Sequence, residues 1–131
     1  VFYTGSYWLS AMPMAAALAT LQELEKTDGA NLMTALGKKL TQGLEKAAGE
    51  YGFHLKITGE PAMWNMRLTD DDSGVLHQRW VGECVRRGVF FANHHNLFIN
   101  TAITQEDIEY TLDAAREAFS VVRAGSRERS A

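Results

Sequence analysis

Apolar positions recur at helical spacing in four stretches of the chain and alternate with polar ones between them. Ala11, Met14, Ala15, Leu18 and Leu21 share one face of a helix predicted over residues 10–26, with Pro13 tolerated in its first turn. Asp28-Gly29 should end it, glycine supplying a left-handed exit. Leu32, Leu36, Leu40, Leu44 and Ala47 mark a second helix over 31–50, with Lys38, Lys39, Glu45 and Lys46 on other faces and Gly52 as its stop. Gly37, Gly43 and Gly49 each cost this helix roughly 1 kcal/mol against alanine, and close packing is one use for them.

From Phe53 the period changes to two. Phe53, Leu55 and Ile57 alternate with His54, Lys56 and Thr58, Gly59-Glu60-Pro61 breaks the run, and residues 63–68 form a second strand. The short connection predicts an antiparallel pair. The acidic turn at residues 70–74 lacks the spaced ligands and distal Glu of a calcium loop and reads as a solvated turn before a helix. That third helix, over 75–87, carries Leu76, Trp80 and Cys84 one turn apart, with Val81 and Val85 broadening the stripe and Gly88 ending it. Strands are expected over 89–91 and 97–100, on either side of the polar turn 92–96. Thr104 and Asp107 form a start resembling a capping box for a last helix, with Ile108, Leu112, Ala115 and Phe119 on its core face.

Helix, helix, strand, strand, helix, strand, strand, helix is the order of an α+β domain, with helices packed on a small, mostly antiparallel sheet. Residues 1–29 read as a turn and linking helix, 30–123 as the domain itself, and 124–131 as a mobile tail. With 131 residues, 46% hydrophobic and 22% charged, the chain has enough apolar material for one core. The net charge of −3 and the scattered Lys and Arg residues give no electrostatic footprint for nucleic acid. The apolar runs are too short to span a bilayer, and the single cysteine, Cys84, has no partner for a disulfide or a zinc site, so a cytoplasmic protein is expected. The start at Val1, without Met and already inside a turn, suggests a piece of a longer polypeptide.

Candidate chemistry is sparse. Thr4, Gly5, Ser6 and Ser10 place hydroxyls and backbone N–H groups ahead of the first helix, where they suit a phosphate or carboxylate or serve simply as turn and N-cap. His94 and His95 lack an acidic or cysteine ligand spaced to complete a metal site, and their turn leaves them able to reach a cleft as hydrogen-bond donors or to cap the turn with Asn93 and Asn96. Cys84 is expected to be inert packing, and His54 and His77 surface residues. A Schiff-base enzyme needs a buried lysine, and none of Lys26, Lys38, Lys39, Lys46 and Lys56 is placed to be one.

Three stretches carry a resemblance: Phe2-Tyr3-Thr4-Gly5-Ser6-Tyr7 with the Ala-rich helix at 15–21, Gly88-Val89-Phe90-Phe91 with His95-Asn96-Leu97-Phe98, and residues 101–108. In this order and spacing they resemble the C-terminal part of a class III, fold-type-I aminotransferase dependent on pyridoxal phosphate, and most of all the glutamate-1-semialdehyde 2,1-aminomutase group. The resemblance implies the small domain of a homodimeric enzyme that moves an amino group on a small-molecule amino compound. It implies that Ser6, standing where the family has threonine, binds the cofactor phosphate of the neighbouring subunit, with Gly5 and Tyr7 beside it. Trp8, His95 and Asn96 become substrate-side candidates, although Trp8 and Leu9 replace the family's glycines. Leu97, near where amino-acid-specific relatives carry an arginine, favours the aminomutase-like branch. The Schiff-base lysine would lie upstream, leaving these residues inactive alone. The alternative is a stand-alone, non-catalytic α+β binding or interaction module.

Overall fold

The computed structural model describes residues 5, 7, 10–70 and 72–127. Its elements are α1 (Ala11–Lys26), α2 (Gly29–Glu50), β1 (Leu55–Glu60), β2 (Met63–Leu68), α3 (Val75–Arg86), β3 (Leu97–Phe98) and α4 (Gln105–Arg127). The α+β expectation holds: four helices accompany one antiparallel sheet of order β1-β2-β3. α4 packs against both α2 and α3, which in turn lie against β1 and β2.

The hairpin forms as its alternation predicts, with Leu55 opposite Leu68 and Glu60 opposite Met63. Gly59, at φ 102, makes the approach possible, because a Cβ there would stand 2.7 Å from the Met63 carbonyl oxygen. Leu40, Leu44 and Ala47 of α2 and Ile108, Leu112, Ala115 and Phe119 of α4 meet in the core. α4 starts on a complete capping box. The Thr104 backbone N–H donates to Asp107 Oδ2 at 2.8 Å, and the Asp107 N–H donates to Thr104 Oγ1 at 3.1 Å. The Thr104 backbone N–H, and then its hydroxyl, which also donates to Oδ2 at 2.8 Å, hold the Asp107 carboxyl below its ordinary range. The helix continues through residues 124–127, which composition had assigned to a tail.

Other expectations shift. The left-handed residue between α1 and α2 is Asp28, at φ 51, whereas Gly29 is the first residue of α2, packed so closely that a Cβ would lie 2.6 Å from Leu24 Cδ2. Ser10 occupies the N-cap position of α1 without a side-chain capping bond. Residues 89–91 are not a strand, because β3 takes the free edge of β2 at Met63 and Trp64. Their alternation is used for packing instead, with Val89 and Phe91 buried and Phe90 79% exposed.

The buried stripe of α3 also differs, running His77, Trp80, Val81, Cys84, while Val85 faces out. Trp80 stacks on Phe119 at 4.6 Å and on Phe91 at 5.5 Å between centroids, fixing α3 against α4 and the segment after Gly88. Burial pushes the Cys84 thiol up to about 12, consistent with inert packing.

Candidate functional site

Two regions carry candidate chemistry, and they are built differently. The first is the approach to α1. Gly5 sits at φ 142, a backbone conformation that side chains rarely adopt, and Tyr7 lies in a turn closed by the Ser10 N–H donating to its carbonyl at 3.0 Å. Tyr7 is 71% exposed. Ser6 and Trp8 lie outside the described residues. The first turn of α1 has no acidic residue and no capping bond from Ser10, and since Pro13 lacks an N–H, Ala11 and Met12 supply the backbone donors that its N-terminal end offers an anion. That donor set fits a phosphate. α1 itself has no buried residue, and Met12, Met14, Leu18 and Leu21 are exposed along it.

No candidate for covalent attachment accompanies the turn. All five lysines are exposed, as the sequence suggested. Among the described residues, no group of three His, Cys, Asp or Glu side chains could hold a metal, and no helix is long and apolar enough to cross a membrane.

The second region is the bend at residues 93–95, between Phe91 and β3. His95 and Asn96 are exposed, with His95 Nδ1 3.2 Å from the Asn96 carbonyl oxygen. Asn93 Nδ2 lies 3.2 Å from His94 Nε2. Asn93 and His94 line a cavity of about 270 Å³ together with Asn65 and Arg67 of β2, Ser73, and His77 of α3.

His77 corrects the sequence reading most sharply. Expected at the surface, it is 2% exposed, and among the described residues neither ring nitrogen has a partner in good hydrogen-bond geometry. Desolvation chiefly, then the charges of His94 and Arg67, lower its pKa from the ordinary histidine value, while a loose hydrogen-bonding approach to the Asn93 backbone raises it. His54 is on the surface as expected, its Nδ1 2.7 Å from Asp70 Oδ1. Although desolvation opposes it, this contact with His54 and its backbone N–H keeps the Asp70 carboxyl below the usual carboxylate range. The signal that could have found His77 was its spacing: three residues before Trp80 and seven before Cys84, it belongs to the apolar stripe.

No protein-family model matches the chain. It is 38% identical over 122 residues to the aminopentol aminotransferase of Sphingopyxis macrogoltabida, covering 93% of this chain and 29% of that protein. It is 30% identical over 133 residues to the glutamate-1-semialdehyde 2,1-aminomutase of Akkermansia muciniphila, covering 92% and 31%. Among solved structures, the pyridoxal-phosphate internal aldimine form of the Sphingopyxis FumI protein superposes with a TM-score of 0.84 at 38% identity, over 93% of this chain and 30% of that one. An omega-transaminase from Sphaerobacter thermophilus shares the fold, with a TM-score of 0.80 at 18% identity, covering 94% of this chain and 31% of that one. The chain thus spans about 30% of the length of the relatives it matches.

Proposed function

Since the chain is homologous to a C-terminal segment of class III pyridoxal-phosphate-dependent aminotransferases and aminomutases, we propose that it forms the small domain of such an enzyme. In this reading the complete polypeptide transfers an amino group on a small amino compound, within one molecule or between two. The observation that carries the proposal is the 38% identity, at a TM-score of 0.84 over 93% of the chain, to a structure that holds the cofactor.

When bound, pyridoxal phosphate acts as an electron sink for bonds at the amino-bearing carbon. The part of this chain is to hold the phosphate end and to build one edge of the site. In this reading Ser6, with Gly5 and Tyr7 beside it in the sequence, binds the cofactor phosphate of the neighbouring subunit of a homodimer, ahead of a helix whose N-terminal end favours an anion. Trp8, His95 and Asn96 are assigned to the substrate side on the same reading. The five exposed lysines supply no buried amine, so the amine that anchors the cofactor belongs to another part of the polypeptide.

Residues 1–29 serve as the link and 30–123 as the domain proper, a division supported by α1 burying none of its own residues. Its exposed Met12, Leu18 and Leu21 suit contact with the remainder of the enzyme. A cytoplasmic location agrees with a lone, buried cysteine. A stand-alone binding module is the weaker reading, because the matching proteins are enzymes about three times as long.

Replacing Ser6 with Ala in the full-length enzyme tests the assignment. Loss of a hydrogen bond to a charged phosphate, roughly 1.5–3 kcal/mol, should weaken cofactor retention about tenfold to a hundredfold. Retention would be read from cofactor absorbance after gel filtration, and a variant that keeps its cofactor like the wild type would overturn the role of Ser6.

A further inference from the structure

The cavity between β2, the start of α3 and the 93–95 bend carries chemistry that the proposed reaction does not use. A buried imidazole with both nitrogens unpartnered is unusual, since buried polar groups are nearly always satisfied by protein or by something bound. Here two such groups occur together. Besides the His77 ring nitrogens, Asn93 Oδ1 is buried without a partner, and both residues line the same space.

The rest of the lining supplies donors and positive potential. Arg67 lines the cavity, its Nη2 donating to the Asp72 carbonyl at 3.0 Å, a bond that takes one of the five guanidinium N–H donors among the described residues. Ser73 Oγ accepts from the Val75 N–H at 3.2 Å, and Asn65 and His94 add an amide and a second imidazole. Gly74, the N-cap of α3 at φ 74, also lines the space, and the first turn of this 12-residue helix contains no acidic residue. Among the described residues none of those lining the cavity is acidic. Among the described lining residues a cation finds no counter-charge, and an apolar ligand would leave His77 and Asn93 unpaired.

We propose that this cavity binds a small oxyanion, a phosphate or carboxylate group, through His77 and Arg67, with Asn93 Oδ1 accepting from a hydroxyl on the same ligand. The oxyanion completes the buried histidine, and the guanidinium gives it a charge partner. Inorganic phosphate carries both the negative oxygens and the hydroxyl, whereas acetate carries only the former. The site lies on the α3 side of the domain and is assigned independently of which amino-group reaction the enzyme performs.

Titration calorimetry on the full-length protein, loaded with pyridoxal phosphate and desalted so that the cofactor position is filled, tests this with inorganic phosphate and with acetate. Saturable binding of phosphate in the millimolar range is expected, weakened at least about tenfold in Arg67→Gln and in His77→Phe. Binding of phosphate alone assigns the site to hydroxylated oxyanions, and binding of both anions extends it to simple carboxylates. Absence of saturable heat with either anion overturns the proposal, as does unchanged affinity in Arg67→Gln. Arg67 is exposed, so that variant keeps the test decisive even where His77→Phe fails to fold.

Discussion

Gly37 is the position at which one methyl group should do the most damage. It is buried in α2, and a Cβ built on it would stand 1.9 Å from the Pro61 carbonyl oxygen and 2.5 Å from the Pro61 carbonyl carbon. Both atoms are backbone, at the tip of the β1–β2 hairpin, so no side-chain rotation relieves the overlap. Either α2 withdraws from the hairpin or the turn deforms. Overpacking of this kind costs about 1–3 kcal/mol, against which the better helix propensity of alanine returns up to about 1 kcal/mol. A Cβ at Gly49, in the same helix, meets nothing within 4 Å, so Gly49→Ala isolates the propensity gain. With the full propensity gain subtracted, Gly37→Ala should therefore lower stability by up to about 2 kcal/mol while Gly49→Ala raises it by up to about 1 kcal/mol. Urea unfolding followed by tryptophan fluorescence reads both, because Trp64 and Trp80 are buried in the core that would loosen. A Gly37→Ala midpoint at or above that of the wild type, with Gly49→Ala behaving as expected, would refute the close approach.

Cys84 is fully buried with its thiol pushed up to about 12, so alkylation at mildly alkaline pH should leave it unmodified in the folded protein and label it fully in denaturant. Labelling of the folded protein at a free-thiol rate, seen by peptide mapping, would contradict the packing of α3. His77 predicts a dependence on acidity. Its folded pKa lies below the ordinary 6.5, so the unfolded chain takes up the proton first. Stability is complete above 6.5 and declines as the pH falls below it, by at most about 1.4 kcal/mol per pH unit. Thermal midpoints measured across that window, in a buffer free of phosphate and acetate, should fall more steeply for the wild type than for His77→Phe. Equal slopes would show that His77 does not titrate as a buried neutral ring.

What could be read from the sequence follows the range of the interactions involved. α2, α4 and the hairpin announce themselves because their signals are local: a sustained apolar face in α2, Thr104 and Asp107 three residues apart, and a glycine-proline break between alternating runs. Residues 89–91 show the limit. Their alternation is real, but whether it becomes a strand depends on a free sheet edge, and β3 occupies that edge. Asp28 makes the same point on a smaller scale, since the close approach of Leu24 to Gly29 decides which of two turn-forming neighbours takes the left-handed conformation.

The sites divide along the same line. The hydroxyl turn before α1 is contiguous in sequence, so resemblance alone could single out Ser6. The α3 cavity draws its polar groups from positions 65 to 94, and no spacing rule joins Arg67 to Asn93. Only His77 was within reach of local reasoning. Its register, i, i+3, i+4 and i+7 with Trp80, Val81 and Cys84, is that of a core position. Polarity argued for the surface and periodicity for the interior, and packing of α3 on α4 through Trp80 and Phe119 settled it in favour of periodicity. A polar side chain carried inside by the register of its helix needs a partner there, and among the described residues His77 has none in good hydrogen-bond geometry. The same conflict that made the residue hard to place is thus what marks its cavity as a binding site.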